Sequence, residues 1–119
     1  IDRGFYVGPT LLGECTSSMA PVRNELFGPV VAAIPFDDDD EAIAITNDTD
    51  FGLYNYLMTN DAARAFQTAK RIRSNVSINT VKRSMHAPFG GFKMSGIGRD
   101  GGDYSLLAYT EMQAVQWEV

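Results

Sequence analysis

The feature that most limits what this chain can fold into is a hydrophobic period that changes repeatedly along residues 30–79. From Val30 to Phe36 apolar residues run almost unbroken, interrupted only by Pro35, as in a strand covered on both faces. Asp38 can then cap a helix. Glu41, three residues on, can complete a capping box, and Ala42, Ile43, Ile45 and Thr46 supply one apolar face before the helix ends near residues 47–50. After the Gly52 turn, residues 55–58 read as a short strand. Asn60 or Asp61 then opens a second helix in which Ala62, Ala65, Phe66, Ala69 and Ile72 recur at spacings of three and four. Val76, Ile78 and Asn79 make a third strand. Strand, helix, strand, helix, strand is the order of a parallel sheet with crossover helices, so the expected fold class is α/β.

The rest of the chain is less regular. Residues 80–102 hold six glycines after Pro88, which lets the backbone approach a ligand or another chain closely. Residues 104–109 suit a short helix. Residues 113–119 alternate, with Val115, Trp117 and Val119 on one side, as in a strand with one buried face. At 119 residues there is length for one domain at most, and any strand that looks elsewhere for its partner would weigh heavily on stability.

Charge and cysteine content narrow the setting. Ten basic against 15 acidic residues give a net charge of -5, which disfavours non-specific attraction to nucleic acid or anionic membrane, and neither partner is expected. The acidic run Asp37 to Asp40 sits where carboxylates suit the electropositive start of a helix, so it reads as a helix start and not as a metal site. Cys15 is the sole cysteine, which excludes an intrachain disulfide. With neither a signal peptide nor a membrane-length apolar run, the expected location is cytoplasmic. Two glycosylation sequons, at Asn47 and Asn75, mean little without secretion. The opening Ile1-Asp2-Arg3-Gly4-Phe5 enters a patterned segment directly, as the middle of a longer protein would.

Four local features invite a chemical reading. Gly96-Ile97-Gly98-Arg99-Asp100-Gly101 spells the dinucleotide fingerprint, but that motif needs a preceding strand and a surrounding strand-helix-strand unit, and only 18 residues follow Gly101. Cys15 lacks a neighbouring base or positive charge and reads as a structural or incidental thiol. His86, the only histidine, reads as a loop residue near a pocket. Glu25-Leu26-Phe27-Gly28-Pro29-Val30 offers more: the Gly-Pro pair forces extended backbone, and a carboxylate beside an aromatic ring suits a ligand with a vicinal diol. A Glu on a solvated turn with a Phe in the core fits the same residues.

Taken in order, four segments resemble the aldehyde dehydrogenase superfamily. They are Gly8-Pro9-Thr10-Leu11-Leu12, Glu25 to Val30, Asn47 with Phe51-Gly52-Leu53, and Pro88-Phe89-Gly90-Gly91-Phe92-Lys93-Met94-Ser95-Gly96-Ile97-Gly98-Arg99. Tyr109-Thr110-Glu111 leading into a final strand is similar to the family's C-terminus. The resemblance implies a partial three-layer α/β catalytic domain with a mostly parallel sheet over residues 1–111. It also implies an oligomerisation-type strand over residues 112–119, and so a homo-oligomer.

The activity it implies is NAD- or NADP-dependent oxidation of an aldehyde to a carboxylic acid through a cysteine thiohemiacetal and hydride transfer. The nucleophile, the general-base glutamate, the oxyanion asparagine and the Rossmann domain would all precede Ile1, so no catalytic residue is expected here. Cys15 is not at the nucleophile's place. What matches residue by residue is the cofactor-facing edge, with Glu25 at the nicotinamide ribose, Phe27 beside it and Leu53 near the nicotinamide. Phe89 resembles an aromatic residue of the aldehyde pocket. The loop at residues 80–87 falls where members of the family differ, and its Lys82, Arg83 and His86 either favour an aldehyde bearing a carboxylate or are ordinary exposed basic residues. Gln113 stands where many members carry lysine. A non-catalytic binding or oligomerisation module with the same fold is the alternative reading.

Overall fold

The computed structural model describes residues 3–118, so Ile1, Asp2 and Val119 lie outside the described residues. Two compact units are present, Ile1–Thr49 and Asp50–Val119.

In the first unit, β1 (Thr10–Leu12) pairs in parallel with β2 (Val30–Ala32), Thr10 opposite Val30. The short helix α1 (Ala20–Arg23) lies between them in sequence and has a proline in its first turn. The strand expected over residues 30–36 is shorter than its apolar run. Backbone pairing continues only as far as Ala33, whose N–H donates to the Leu12 carbonyl at 2.8 Å, and it stops before Pro35, which has no N–H to give. Nor is β2 covered on both faces by this chain: Val30 and Ala32 are half-buried, whereas Val31 is exposed.

Helix α2 (Asp39–Asn47) begins where the acidic run predicts. The Asp38 carboxylate accepts the Glu41 N–H at 2.9 Å, while the Glu41 carboxylate reaches one residue beyond the expected capping box, to the Asp37 N–H at 2.7 Å. Both bonds occupy N–H groups that a helix start leaves without internal partners. Ile43 is the buried residue of this helix, and Ala42, Ile45 and Thr46 are half-buried around it.

In the second unit, β4 (Tyr54–Leu57), α3 (Ala62–Arg71) and β5 (Asn75–Ile78) form the expected crossover, with β4 and β5 parallel from Tyr54 opposite Asn75 to Leu57 opposite Ile78. Asp61 caps α3 by accepting the Arg64 N–H at 2.9 Å, and Ala65, 2% exposed, is the buried residue of the helix. The ladder ends at Asn79. There the side chain accepts the Thr59 N–H at 2.9 Å and donates to the Thr59 carbonyl at 2.7 Å, continuing the pairing from a residue at φ 54°, a conformation Asn tolerates.

The glycine-rich stretch is more ordered than its composition predicts. Its Phe92–Lys93 strand, β6, pairs antiparallel with β3 (Phe51–Gly52). The three ladders are thus two parallel pairs and one antiparallel pair. A last short helix, α4, spans Tyr104–Leu107. Residues 113–118, expected as a strand with a buried face, join no ladder among the described residues, and Val115 (70%) and Trp117 (78%) are exposed. Among the described residues, no helix is long and apolar enough to cross a membrane, and no group of three or more His, Cys, Asp or Glu is arranged to hold a metal.

Candidate functional site

The first unit presents its candidate residues on the loop between α1 and β2. At the helix end, the Arg23 guanidinium binds Asp48 through both nitrogens, at 2.6 and 3.2 Å to the carboxylate, and also donates to the Asp48 carbonyl at 2.8 Å. Both side chains are about half exposed, so this pair contributes roughly 1 kcal/mol or less to stability. Its consequence is geometric, because it fixes the start of the loop against the C-terminal end of α2. The far end of the loop is fixed by the ladder, where the Thr10 N–H donates to the Pro29 carbonyl at 2.8 Å. Between these anchors the Gly28 N–H donates to the Leu26 carbonyl at 3.0 Å and the Val30 N–H to the Gly28 carbonyl at 2.8 Å. Glu25 is exposed on this loop and Phe27 is 94% exposed, so the ring is not part of a core in this chain.

The second unit builds a cavity of about 470 Å³ from β4, β5 and the loop after β5. Tyr54, Ser77, Lys82, Arg83 and Phe89 are among its lining residues. The Tyr54 hydroxyl and the Ser77 hydroxyl lie 2.7 Å apart in a hydrogen bond, and the Tyr54 and Phe89 rings have centroids 6.3 Å apart. Phe89 is held by a narrow antiparallel bridge, its N–H donating to the Asp100 carbonyl at 2.6 Å and its carbonyl accepting the Asp100 N–H at 2.7 Å. The Arg83 guanidinium carbon lies 4.1 Å from the Phe89 ring centroid, a cation–π contact.

Asn75 ties the cavity wall to Leu53. Its side-chain amide donates to the Leu53 carbonyl at 2.7 Å and to the Gly90 carbonyl at 2.8 Å. The Leu53 side chain is exposed beside it. The glycine pair that precedes the fingerprint-like run serves the same loop: a Cβ on Gly90 would overlap the Gly98 carbonyl, and a Cβ on Gly91 would overlap the Ser95 backbone. Arg99 donates to the Gly91 and Gly98 carbonyls at 2.9 and 2.7 Å, and its guanidinium carbon lies 4.4 Å from the Phe92 ring centroid. Ser95 accepts the Gly52 N–H at 3.0 Å.

Of the residues singled out from sequence, Arg83 and Phe89 thus meet at one cavity, and Leu53 is coupled to the residue after Phe89 through Asn75. His86 sits on the same loop, in a turn where its N–H donates to the Ser84 hydroxyl at 3.3 Å, but is not among the cavity's lining residues. Cys15 is buried, its Sγ 3.5 Å from the Leu12 carbonyl oxygen, as suits a structural thiol. Asn75, Tyr54 and Arg23 escaped the sequence reading. Asn75 stood there only as part of a sequon, and Arg23 and Asp48 are too far apart in sequence for a local pattern to join them.

Each unit thus exposes side chains to which a small molecule has access, Glu25 and Phe27 on a loop of the first and Arg83 and Phe89 at the cavity of the second. The aldehyde dehydrogenase family model matches residues 1–115. A Staphylococcus saprophyticus protein named as an aldehyde dehydrogenase is 38% identical over 116 residues, 97% of this chain and 24% of that protein. The structure of a mutant Pseudomonas syringae aldehyde dehydrogenase in complex with NAD+ and octanal superposes with a TM-score of 0.86 at 44% identity, covering 91% of this chain and 22% of its own. A Mycobacterium tuberculosis aldehyde dehydrogenase complexed with NAD+ gives 0.86 at 37% identity, covering 91% and 23%. This chain belongs to the aldehyde dehydrogenase family. It spans about a quarter of the length of these relatives.

Proposed function

We propose that this chain is one part of a cytoplasmic, homo-oligomeric, NAD(P)-dependent aldehyde dehydrogenase. On this reading residues 1–111 belong to its three-layer catalytic domain and residues 112–119 to an oligomerisation strand. The observation that carries the reading is the Glu25 and Phe27 pair, exposed on a loop anchored at both ends, in a chain whose relatives include structures complexed with NAD+. The residues fit the cofactor: an exposed carboxylate can accept both O–H groups of a ribose diol, and the adjacent ring offers a flat apolar face. The bound dinucleotide supplies the hydride acceptor. What this chain contributes is position, with Glu25 and Phe27 at the ribose, Leu53 near the nicotinamide, and Phe89, Arg83 and His86 in or beside the aldehyde pocket.

The chain supplies no nucleophile, since Cys15 is buried against backbone carbonyls. The test compares NAD(P)H formation by the full-length enzyme and by the purified 119-residue chain over a panel of aldehydes. Turnover by the former and none by the latter is expected. Turnover by the chain alone, abolished by Cys15→Ser, would overturn the reading, as would a full-length protein that oxidises no aldehyde.

A further inference from the structure

We propose that the cavity formed by β4, β5 and the loop after β5 takes an aldehyde with a carboxylate at its far end, recognised by Arg83 with help from Lys82. The proposal rests on the reading above and narrows its substrate class. The cavity lining includes two cationic side chains and no Asp or Glu. Neither the Lys82 ammonium nor the Arg83 guanidinium has an ion pair or hydrogen bond among the described residues; Lys82 donates through its backbone N–H, to the Thr80 hydroxyl, and the Arg83 guanidinium lies over the Phe89 ring. The nearby acid, Asp100, lines a smaller recess of about 70 Å³ with Arg83 and uses Oδ1 to accept the Gly101 N–H at 2.7 Å.

The position of Arg83 is prepared. Stacking at 4.1 Å on a ring that is itself fixed by the Asp100 bridge restrains an otherwise flexible side chain and leaves its five N–H donors for a planar acceptor. A carboxylate matches that fork through two parallel bonds. The Tyr54 and Phe89 rings supply apolar wall for the carbon chain, and the Tyr54 hydroxyl is already occupied by Ser77. A wholly apolar aldehyde filling the same space would displace water from two cations and give them nothing in return. The volume suits a small molecule.

The test uses the full-length enzyme and a matched pair of substrates: an aldehyde with a terminal carboxylate and the same molecule as the neutral primary amide. We expect kcat/KM for the acid to exceed that for the amide by about 10- to 100-fold, the range of a charge-assisted hydrogen bond, and the excess to lie mainly in KM. The excess should shrink as salt is raised. Arg83→Gln should bring the ratio towards one, and Arg83→Lys should keep part of it. An acid-to-amide ratio at or below one in the unaltered enzyme overturns the proposal even if the variants fail to fold, and so does a ratio that Arg83→Gln leaves intact. Failure to oxidise any aldehyde would instead remove the aldehyde dehydrogenase reading on which the proposal stands.

Discussion

Asn75 holds two loops together with the NH2 group of a single amide, and only a side chain that donates there can do so. Both of its side-chain bonds are donations, to the carbonyls of Leu53 and Gly90. Asn75→Ala removes two neutral hydrogen bonds at about 0.5 to 1.5 kcal/mol each and should destabilise by about 1 to 3 kcal/mol. Asn75→Asp preserves the shape but sets a carboxylate against two carbonyl oxygens, so it should destabilise more than alanine does. Urea midpoints of the full-length variants would show the order, and an Asp variant as stable as the parent would refute the bridge. Glu25 is a different case, since the partner proposed for it is the cofactor. Glu25→Gln keeps one acceptor and turns the other into a donor, which weakens a charge-assisted contact of about 1.5 to 3 kcal/mol to the ribose. Hydride transfer requires the reacting atoms within about 3.5 Å, so slower single-turnover transfer and a raised cofactor KM are expected, with esterase activity largely kept. Unchanged transfer and cofactor affinity would return Glu25 to an ordinary solvated turn.

At the scale of elements, what was legible in the sequence was what is decided locally. Asp38 and Asp61 start α2 and α3 because each carboxylate needs only an N–H three residues away, and the spacing is visible in the letters. The parallel crossover β4-α3-β5 followed from periodicity in the same way. The β3 and β6 pair did not, because Gly52 finds Phe92 across 40 residues of chain and glycine-rich composition gives no hint of register. The cavity was half legible: its Arg83 and Phe89 came from family resemblance, whereas Tyr54 and Asn75 enter it only once β4 and β5 are paired. Gly91 tests this non-local packing. It is buried, and a methyl group there would meet the backbone of Ser95, whose hydroxyl accepts the Gly52 N–H. Because backbone cannot yield as a side-chain tip can, Gly91→Ala should destabilise by about 2 kcal/mol or more and loosen the β3 and β6 ladder. A melting temperature within a degree or so of the parent would show that the turn has slack.

For the whole molecule, burial is sparse: Cys15, Ile43 and Ala65 are the buried hydrophobic residues among those described, while Phe27, Val31, Val115 and Trp117 are exposed. Polar groups are better served, since no buried side-chain nitrogen or oxygen among the described residues lacks a partner. The unmet demand is therefore apolar cover, and it extends to the C-terminal residues. Over residues 113–118 no backbone group is paired among the described residues, and Val115 and Trp117 alternate on what would be one face of a strand. A segment with unpaired backbone N–H and C=O groups and apolar side chains at alternate positions is a template for another strand. Covering an indole of about 200 Å² at about 25 cal/mol per Å² contributes on the order of 4 to 5 kcal/mol per copy, enough to decide an association equilibrium. Trp117→Glu in the full-length protein should therefore lower the sedimentation coefficient to that of a smaller assembly. Gln116→Glu, one residue away on the opposite face of the alternation, adds the same charge and should leave the assembly intact. If both variants sediment as the parent does, residues 113–118 are not the pairing surface; if both dissociate, added charge and not loss of the indole contact is responsible.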